Sequence, residues 1–347
     1  MIYVGMDLHQ KTTTWLAIDD AGARVGGGVV ASTESGWREV VSTWPVAEVR
    51  VAVETGTVTW WVVSVLRELG IEPTVVDARR FKLIAQSRKK SDRRDARTLA
   101  EALRAGLAEQ CTVVVPSERA RRGRALLQAR QTIVRQGTGS RNAIKGLLRS
   151  IGVAARRTVW SSPAAFEDLL GHPAIPAWQA TLLRSHYAVW SATQEQRHAL
   201  DEQIEEELGC WPDATHLLEI PGFGPLVTLA VASAIDSPKR FRRGRQAASY
   251  TGLVPTVRDS GESTRRGGIT HEGRSLLRHA LIQAAHSALR SRSLTPGLRT
   301  WTHRLAARRG RQIAVAALGR KLMVLSHHML STGVVYQSNY GAASKAA

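Results

Sequence analysis

The sequence predicts an α/β fold followed by mainly helical structure. The first 115 residues alternate short apolar, β-branched runs with segments of helical periodicity. Two long stretches that proline does not interrupt, 118–151 and 178–208, carry apolar residues at helical spacing. The last third is again helical in pattern and enters its first helix through a turn rich in glycine and proline.

The N-terminal region is predicted to form a mixed sheet. Its first three strands are apolar runs separated by polar or glycine-containing turns, which is typical of an antiparallel meander. The order βββαβαβα fits an α/β domain with both parallel and antiparallel strands. The predicted elements are strands at 2–7, 13–19 and 25–31, a helix at 35–44, a strand at 49–54, a helix at 57–69, a strand at 73–77 and a helix at 91–104.

The middle region is predicted to be two long helices of opposite charge. The first, at 118–151, is rich in arginine, and the second, at 178–208, ends in a run of acidic residues. This complementarity favours an antiparallel pair or a coiled-coil arm, with Gly137 and Gly139 as candidate kink points. Arginine on the first helix exceeds what pairing requires, so we assign the surplus to phosphate contact. The residues chosen for that role are Arg130, Arg141 and Lys145.

The C-terminal region contains two segments that suggest contact with phosphate. A P-G-x-G turn at 221–224 that enters a helix resembles a helix-hairpin-helix, whose backbone amides can hold a phosphate. The polar, glycine-rich segment 259–268 has the composition of a surface loop. A second interpretation is a functional loop in which a serine attacks phosphorus while two arginines stabilise the charge. The residues assigned are Gly222 and Gly224 in the turn, and Ser260, Arg265 and Arg266 in the loop.

The charge distribution indicates a polyanionic partner. Lysine and arginine outnumber aspartate and glutamate by 48 to 29, which gives a net charge of +19. Residues 1–75, 76–160, 161–237 and 238–347 carry −4, +15, −9 and +17, so the positive charge forms two blocks. Such blocks attract nucleic acid because neutralising phosphates releases counterions. A GC-rich genome explains the choice of arginine over lysine, but not the basic block at the C-terminus.

Several other classes of protein are disfavoured. Cys111 and Cys210 lie far apart without metal-ligand spacing, so they indicate neither a disulfide scaffold nor a zinc site. The N-terminus lacks a signal-peptide pattern, and no apolar run reaches the ~20 residues of a membrane span. We therefore expect a cytoplasmic, nucleoid-associated protein with no membrane partner.

Four carboxylates stand where an RNase H-type nuclease places its metal ligands. Asp7 and Glu54 end two predicted strands, and Asp92 and Asp95 share one face of the first turn of a predicted helix. Acids in a first turn also favour the helix dipole, so that pair has a structural explanation of its own. Together the four carboxylates can hold two hard cations ~3.5–4 Å apart. Asp77 also ends a predicted strand, and we take it as the control acid that is not expected to bind metal. The neighbouring basic residues assigned to nucleic acid are Lys89, Lys90, Arg93 and Arg94.

Several short motifs occur in the same order in this chain as in a known family. The motifs are Gly5-Met6-Asp7-Leu8-His9 with Lys11, Glu54-Thr55-Gly56, Lys90-Ser91-Asp92-Arg93-Arg94-Asp95-Ala96, Ile220-Pro221-Gly222-Phe223-Gly224, Gly252-Leu253-Val254-Pro255, Ser260-Gly261 and Gly273-Arg274-Ser275-Leu276-Leu277-Arg278. From residue 1 to about residue 330 the chain resembles the DEDD insertion-sequence transposases of the IS-one-ten family, which include the Piv-type DNA invertases. The combination in this order is specific, although no single motif is.

The resemblance implies three domains and a metal site. The domains are a RuvC-like DEDD nuclease domain at 1–115, a coiled-coil helical arm at 116–210 and a C-terminal transposase domain at 211–347. The metal is expected to be Mg²⁺ in a two-metal site. Its ligands, carried over residue by residue, are Asp7, Glu54, Asp92 and Asp95.

The resemblance also implies a serine nucleophile and several partners. The nucleophile falls on Ser260, with Ser263 as a slipped match and Tyr250 as a more distant candidate. Members of the family form dimers and tetramers, act on donor and target double-stranded DNA, and use a bridge non-coding RNA to select both. We therefore expect an RNA-guided, Mg²⁺-dependent transposase and DNA recombinase that moves its own insertion sequence.

Two other functions fit parts of the sequence. A structure-selective junction nuclease would cut with metal-activated water and leave free ends, but it does not explain the basic, serine-containing last third. A non-enzymatic nucleic-acid-binding protein would carry these acids incidentally and bind no metal through Asp7 or Glu54.

Overall fold

The chain folds into two compact units, Met1–Pro116 and Ser117–Ala347. Each unit has its own hydrophobic core. The further division of the second unit into a helical arm and a C-terminal domain stays a prediction. The residues that the computed structural model describes are 1–77, 80–81, 91–260 and 263–337, with the backbone alone at 257–260 and 263–266.

The first unit is built on a five-stranded mixed sheet. Its strands are β1 Ile2–Leu8, β2 Thr12–Ile18, β3 Arg24–Ala31, β4 Val49–Glu54 and β5 Thr74–Val76. The helices that lie wholly within its described residues are α1 Glu34–Ser42, α2 Thr59–Glu68 and α3 Asp92–Arg104, and 3-10 turns lie at Val46–Glu48 and Ala108–Cys111. The strand order is β3-β2-β1-β4-β5, antiparallel from β3 to β1 and parallel from β1 to β5. This confirms the predicted meander and the mixed sheet.

Alternate residues of β1 face opposite layers of helices. Val4 and Met6 are fully buried in a core shared with α1 and α2. Gly5, between them, faces α3 on the other side of the sheet. On β4, Ala52 likewise belongs to a cluster with Leu99 of α3. Because side chains alternate along a strand, the face that α3 covers receives the odd-numbered residues of β1 and the even-numbered residues of β4.

The described part of the second unit is helical apart from one two-stranded sheet. Its helices are α4 Glu118–Ser150, α5 Pro163–Leu170, α6 Ala177–Gly209, α7 Pro212–Thr215, α8 Pro225–Ile235, α9 Gly244–Tyr250, α10 Ser275–Arg290, α11 Pro296–Arg309 and α12 Arg311–Thr332. Its strands are β6 Pro255–Ser260 and β7 Ser263–Ile269, and 3-10 turns lie at Arg157–Trp160, His216–Glu219 and Pro238–Arg240. Among the described residues, no helix has both the length and the apolar character to cross a membrane.

Helices α4 and α6 pack side by side in opposite directions. Toward one end of the pair Arg122 forms an ion pair with Glu207, at 2.7 Å. Toward the other end, Nε2 of Gln179 donates a hydrogen bond to the carbonyl oxygen of Leu147 at 2.6 Å. Between these contacts, a methyl group added at Gly137 would lie only 2.4 Å from a hydroxyl oxygen of α6. The helices therefore form the antiparallel pair that the charge pattern predicts, and α4 continues as one helix through both of its candidate kink points.

The segment with the composition of a surface loop is a β-hairpin. β6 and β7 pair in antiparallel fashion, with Arg258 opposite Arg265 and Ser260 opposite Ser263. The prediction of a loop was wrong because these strands carry serine, aspartate and arginine in place of the apolar alternation that marks a half-buried strand. The predicted nucleophile therefore ends a strand instead of lying in irregular chain.

The P-G-x-G turn leads into α8 as predicted, but Gly222 is required by the close packing of this turn against α10. Its φ is +87°, and a Cβ there would lie 2.3 Å from the carbonyl oxygen of Ala284 in α10. Gly224 is the N-cap of α8, and among the described residues no heavy atom beyond its chain neighbours lies within 4 Å of a Cβ placed there. Phosphate binding by this turn stays a prediction, and Gly224 is the more open of its two glycines.

Candidate metal centre and nucleic-acid interface

Two of the four predicted metal ligands lie side by side at the ends of two parallel strands. In the β1–β4 ladder the last registered pair is Met6 with Val53, so Asp7 and Glu54 come next on adjacent strands. By alternation, both lie on the face of the sheet that α3 covers. The topology therefore brings together two acids that are far apart in sequence.

Helix α3 reaches this end of the sheet because Gly5 has no side chain. A Cβ on Gly5 would lie 2.0 Å from the carbonyl oxygen of Ala96 and 2.7 Å from the backbone nitrogen of Ala100. Ala96 and Ala100 are themselves fully buried. Small residues on both elements thus let the helix backbone lie directly on β1, and the first turn of that helix carries Asp92 and Asp95.

The structure groups Asp7 and Asp92 with a third residue, His9. Nε2 of His9 lies 3.2 Å from Oδ2 of Asp7 and 3.6 Å from Oδ2 of Asp92. One ligand atom from each of the three residues lies within 4.8 Å of the other two. The Asp7 side chain is 17% exposed, whereas that of Asp92 is 62% exposed, so the group opens to solvent on one side. In the described ranges no other set of three His, Cys, Asp or Glu side chains meets this distance condition, and neither Glu54 nor Asp95 belongs to the group.

No sequence pattern marks His9 as a ligand. It lies just beyond the end of β1, and a single histidine in a polar turn has no spacing that marks a ligand. One signal was available, because residues at i and i+2 of an extended chain face the same side, and His9 is two residues after Asp7.

Burial and neighbouring charges both act on the Asp7 carboxyl. Burial raises its pKa, and the carboxylates of Asp92 and Asp95 raise it further, while the charge and the hydrogen bond of His9 act in the opposite direction. Carboxylates held together in this way repel one another, and a bound cation replaces this repulsion with attraction and lowers their pKa values. The electrostatics therefore favour a cation at this place.

The spacing of the three donor atoms also fits a divalent metal ion. Mg²⁺ binds oxygen in near-octahedral geometry at about 2.1 Å, which places neighbouring ligand atoms about 3.0 Å apart. The separations of 3.2 and 3.6 Å around His9 are close to that value. Carboxylate oxygens suit Mg²⁺ and Mn²⁺, and an imidazole nitrogen adds preference for transition metals. The residues present can thus hold a divalent cation.

Thr59 fixes the backbone at the other strand-end acid. Its Oγ1 donates a hydrogen bond to the carbonyl oxygen of Glu54 at 2.9 Å and accepts one from the backbone nitrogen of Gly56 at 2.6 Å. Thr59 is fully buried at the start of α2. This turn holds the end of β4 in a fixed position next to β1.

Basic side chains accompany the first turn of α3. Arg93 and Arg94, which follow Asp92 directly, are both exposed. Lys89 and Lys90 lie outside the described residues. Arg93 and Arg94 are therefore accessible, and their contact with nucleic acid stays a prediction.

The three residues of α4 predicted to contact phosphate have different surroundings. Arg130 forms an ion pair with Asp201 of α6, and the guanidinium of Arg141 lies 4.7 Å from the centre of the Trp160 ring. Lys145 is partly buried. Arg130 thus contributes to the pairing of the two helices, and its predicted contact with phosphate stays untested.

The candidate nucleophiles lie on the β6–β7 hairpin and before it. The backbone positions of Ser260 and Ser263 are paired across the hairpin, so both candidates lie at the same end of its strands. Arg265 and Arg266 follow on β7. Tyr250, the third candidate, ends α9, where its ring packs 5.8 Å from another aromatic ring.

Two family models match the chain. A DEDD model of IS110 type, described as "Transposase", matches residues 4–153, a range that includes all four predicted acids and His9. A model described as "Transposase IS116/IS110/IS902 family" matches residues 214–299, which include the β6–β7 hairpin.

Individual relatives carry related names. Over 292 residues the chain is 29% identical to a Pseudomonas aeruginosa protein named "Probable family 20 transposase", with 83% of this chain and 85% of the relative covered. Over 262 residues it is 29% identical to the transposase for insertion sequence element IS1111A of Coxiella burnetii, with 73% and 70% covered. Over 137 residues it is 29% identical to the pilin gene-inverting protein of Moraxella bovis, with 38% and 42% covered.

Proposed function

This chain belongs to the IS110-type DEDD transposases, and we propose that it cuts and transfers DNA strands at a metal centre built around Asp7, His9 and Asp92. The observation that carries the proposal is the convergence of these three donors at the end of β1. Glu54 and Asp95, on the adjoining strand end and the same helix turn, would complete the binding of a second ion. A bound Mg²⁺ pair would polarise the scissile phosphate and stabilise the charge that develops on it.

We further propose that Ser260 is the nucleophile. Its hydroxyl oxygen would form a bond to phosphorus while one ester bond of the DNA phosphate breaks. The hydroxyl proton is lost, and the departing DNA oxygen takes up a proton. A hydroxyl end of a second strand would then displace the serine and restore its hydroxyl group. Each step exchanges one phosphate ester for another, so no nucleotide triphosphate is needed. The IS116/IS110/IS902 match across the hairpin and the nearby Arg265 and Arg266 support this role.

The choice of DNA is proposed to come from a bridge non-coding RNA, with a dimer or tetramer holding donor and target duplexes. The family resemblance is the source of this idea. Two basic blocks of +15 and +17 are compatible with more than one bound nucleic acid. Sequencing the RNA that copurifies with the protein tests it: a single defined species supports guidance, and random fragments of cellular RNA contradict it.

Binding of Mn²⁺, followed by electron paramagnetic resonance, tests the metal centre. We expect Asp92→Asn to lose most of the bound-metal signal. His9→Ala should weaken affinity on the order of tenfold and remove nitrogen coupling from the spin-echo spectrum. Asp77→Asn changes the acid that follows β5 and should bind like the wild type. Unchanged Mn²⁺ binding by Asp92→Asn would exclude the site.

A trapped protein–DNA adduct tests the serine. In the presence of Mg²⁺, the wild type and Ser263→Ala should form a covalent complex with labelled DNA, whereas Ser260→Ala and EDTA-treated protein should not. An adduct formed by Ser260→Ala would show that this residue is not the nucleophile. Free cut ends without any adduct in the wild type would instead indicate a nuclease that uses water.

A further inference from the structure

A cavity of about 330 Å³ in the second unit carries positive charge and belongs to none of the sites above. It lies where α4, α8 and α10 meet, and leucines of α4 and α10 form its apolar wall. Its polar lining consists of Arg124 and Gln128 from α4, Ser233 from α8, and Arg274 and Ser275 at the start of α10.

Arg124 offers an unused donor to this cavity. Its Nε donates a hydrogen bond to the carbonyl oxygen of Ser233 at 2.8 Å. Its Nη2 is shielded from solvent and has no hydrogen-bond partner in the part of the chain that the structure describes. Buried guanidinium nitrogens are normally paired, because burial removes the hydration of a charged group. The unpaired Nη2 therefore points to an acceptor that arrives with a ligand.

The charges around Arg124 also favour an anion. Burial lowers the pKa of Arg124 to about 10, and the positive charges of Arg274 and Arg240 act in the same direction. Tyr250 and Asp236 act in the opposite direction. Both carboxylate oxygens of Asp236 accept hydrogen bonds from the residue that caps α4, and this carboxylate offsets part of the positive charge. Three guanidinium groups against one carboxylate leave a positive surplus, which a ligand with negative charge would neutralise.

The same cavity receives the amino end of α10. This helix has 16 residues, and its N-cap residue, Arg274, makes no capping hydrogen bond through its side chain. Amide groups in a first helical turn lack partners within the helix and lie at the positive end of its dipole. They add donors to the two arginines on one side of the cavity.

We propose that this cavity binds one phosphate group of a nucleic-acid strand. The two non-bridging oxygens of a phosphodiester carry its negative charge, and each can accept more than one hydrogen bond. They can therefore be shared among Arg124, Arg274 and the amino end of α10. The apolar wall accommodates the adjoining sugar. The anion site stands on the cavity alone, and its assignment to nucleic acid rests on the proposed function.

Thermal unfolding of the full chain tests the anion site. Potassium phosphate is compared with potassium chloride at equal ionic strength, for the wild type and for Arg124→Met. At about ten times the Kd of phosphate, the wild type should gain about 3 °C more than the variant. Arg124→Met loses the hydrogen bond to Ser233 and also relieves the repulsion among the arginines, so its melting temperature without phosphate reflects two opposing effects. The response to phosphate is therefore measured for each protein against its own melting temperature in potassium chloride.

Two further variants make the result specific. Arg135→Met removes the same charge from an exposed position of the same helix and should respond to phosphate as the wild type does. Arg274→Met changes an exposed residue at the cavity and should lose most of the stabilisation by phosphate. This variant tests the anion site even if Arg124→Met does not fold. A wild-type response to phosphate in Arg124→Met or Arg274→Met would overturn the anion site.

Salt titrations identify the strand. Binding of labelled duplex DNA and of labelled single-stranded RNA is measured by fluorescence anisotropy at several salt concentrations. In Arg124→Met the slope of log K against log salt should decrease by about 0.9 for duplex DNA or about 0.7 for single-stranded RNA, in one arm only. Unchanged slopes in both arms would overturn the assignment to nucleic acid. Mn²⁺ binding by Arg124→Met should equal that of the wild type, so failure of the metal centre and failure of this cavity are separate results.

Discussion

The substitution Gly5→Ala tests the metal centre without touching any of its ligands. The added methyl group would lie 2.0 Å from the carbonyl oxygen of Ala96 and 2.7 Å from the backbone nitrogen of Ala100. A carbon atom and a carbonyl oxygen approach each other to about 3.3 Å, so the helix backbone must retreat by about 1.3 Å at this point. The change therefore displaces α3 from β1.

This displacement should weaken metal binding and stability together. Asp92 lies one helical turn before Ala96 and moves with it, whereas Asp7 and His9 stay with β1. A shift of about 1 Å is several times the tolerance of about 0.2 Å in ligand distances. We expect the affinity for Mn²⁺ to fall at least on the order of tenfold, and the free energy of unfolding to fall by about 1–3 kcal/mol through overpacking.

A second glycine of the same sheet provides the control. In Gly28→Ala, on β3, the nearest atom to the added methyl group is Nε1 of Trp15, at 3.6 Å. Denaturant unfolding gives the free energy, and paramagnetic resonance gives the Mn²⁺ affinity, for both variants. Gly28→Ala should bind Mn²⁺ like the wild type and should be at least as stable, because alanine loses less backbone entropy than glycine in a strand. If Gly5→Ala loses stability but binds Mn²⁺ normally, the close approach of α3 does not position Asp92 for metal binding.

Two further predictions concern the second unit. Gly137→Ala should lower the free energy of unfolding by about 1–3 kcal/mol, since its methyl group would lie 2.4 Å from Oγ1 of Thr193. Gly139→Ala should raise this free energy by about 0.5–1 kcal/mol, because outside the neighbouring backbone of α4 no described atom lies within 4 Å of the added methyl group. Urea unfolding of both variants checks this, and equal effects would contradict the close approach of α6 at Gly137. Ser117→Ala should cost about 1–2 kcal/mol, because the Ser117 hydroxyl caps α4 and donates a hydrogen bond to Asp236 at 2.6 Å; an unchanged midpoint in the same assay would show that this cap contributes little.

Much of the first unit could be predicted because its signals are local. β1 and β4 are apolar runs that end in acids, and the helix that starts at Asp92 has a clear periodicity with acids in its first turn. Since β1 and β4 are parallel neighbours, the strand-end position of Asp7 and Glu54 is enough to place them at one edge of the sheet.

Other features depend on contacts that a sequence pattern does not contain. Gly5 lies in the middle of β1 like any small strand residue, and only the packing of α3 shows why a side chain is excluded. His9 becomes a candidate ligand only when Asp92 arrives from the helix. Gly137 was expected to mark a kink, but its small size serves the approach of α6 instead. The β6–β7 hairpin was missed because its strands are polar, so no alternation separates it from a loop.

Each of the two candidate sites holds groups of like charge close together, negative at the metal centre and positive at the cavity. Around Asp7, burial and neighbouring carboxylates raise the pKa of an acid, and around Arg124, burial and neighbouring arginines lower the pKa of a base. In both places like charges are held together by the fold, so each site is less stable empty than loaded. A ligand at one hundred times its Kd stabilises the native state by about 2.7 kcal/mol. Because the cation site lies in the first unit and the anion site in the second, divalent metal should protect mainly the former against unfolding and phosphate mainly the latter. If divalent metal or phosphate stabilised both units equally, its effect would be a non-specific effect of salt and not binding at one specific site.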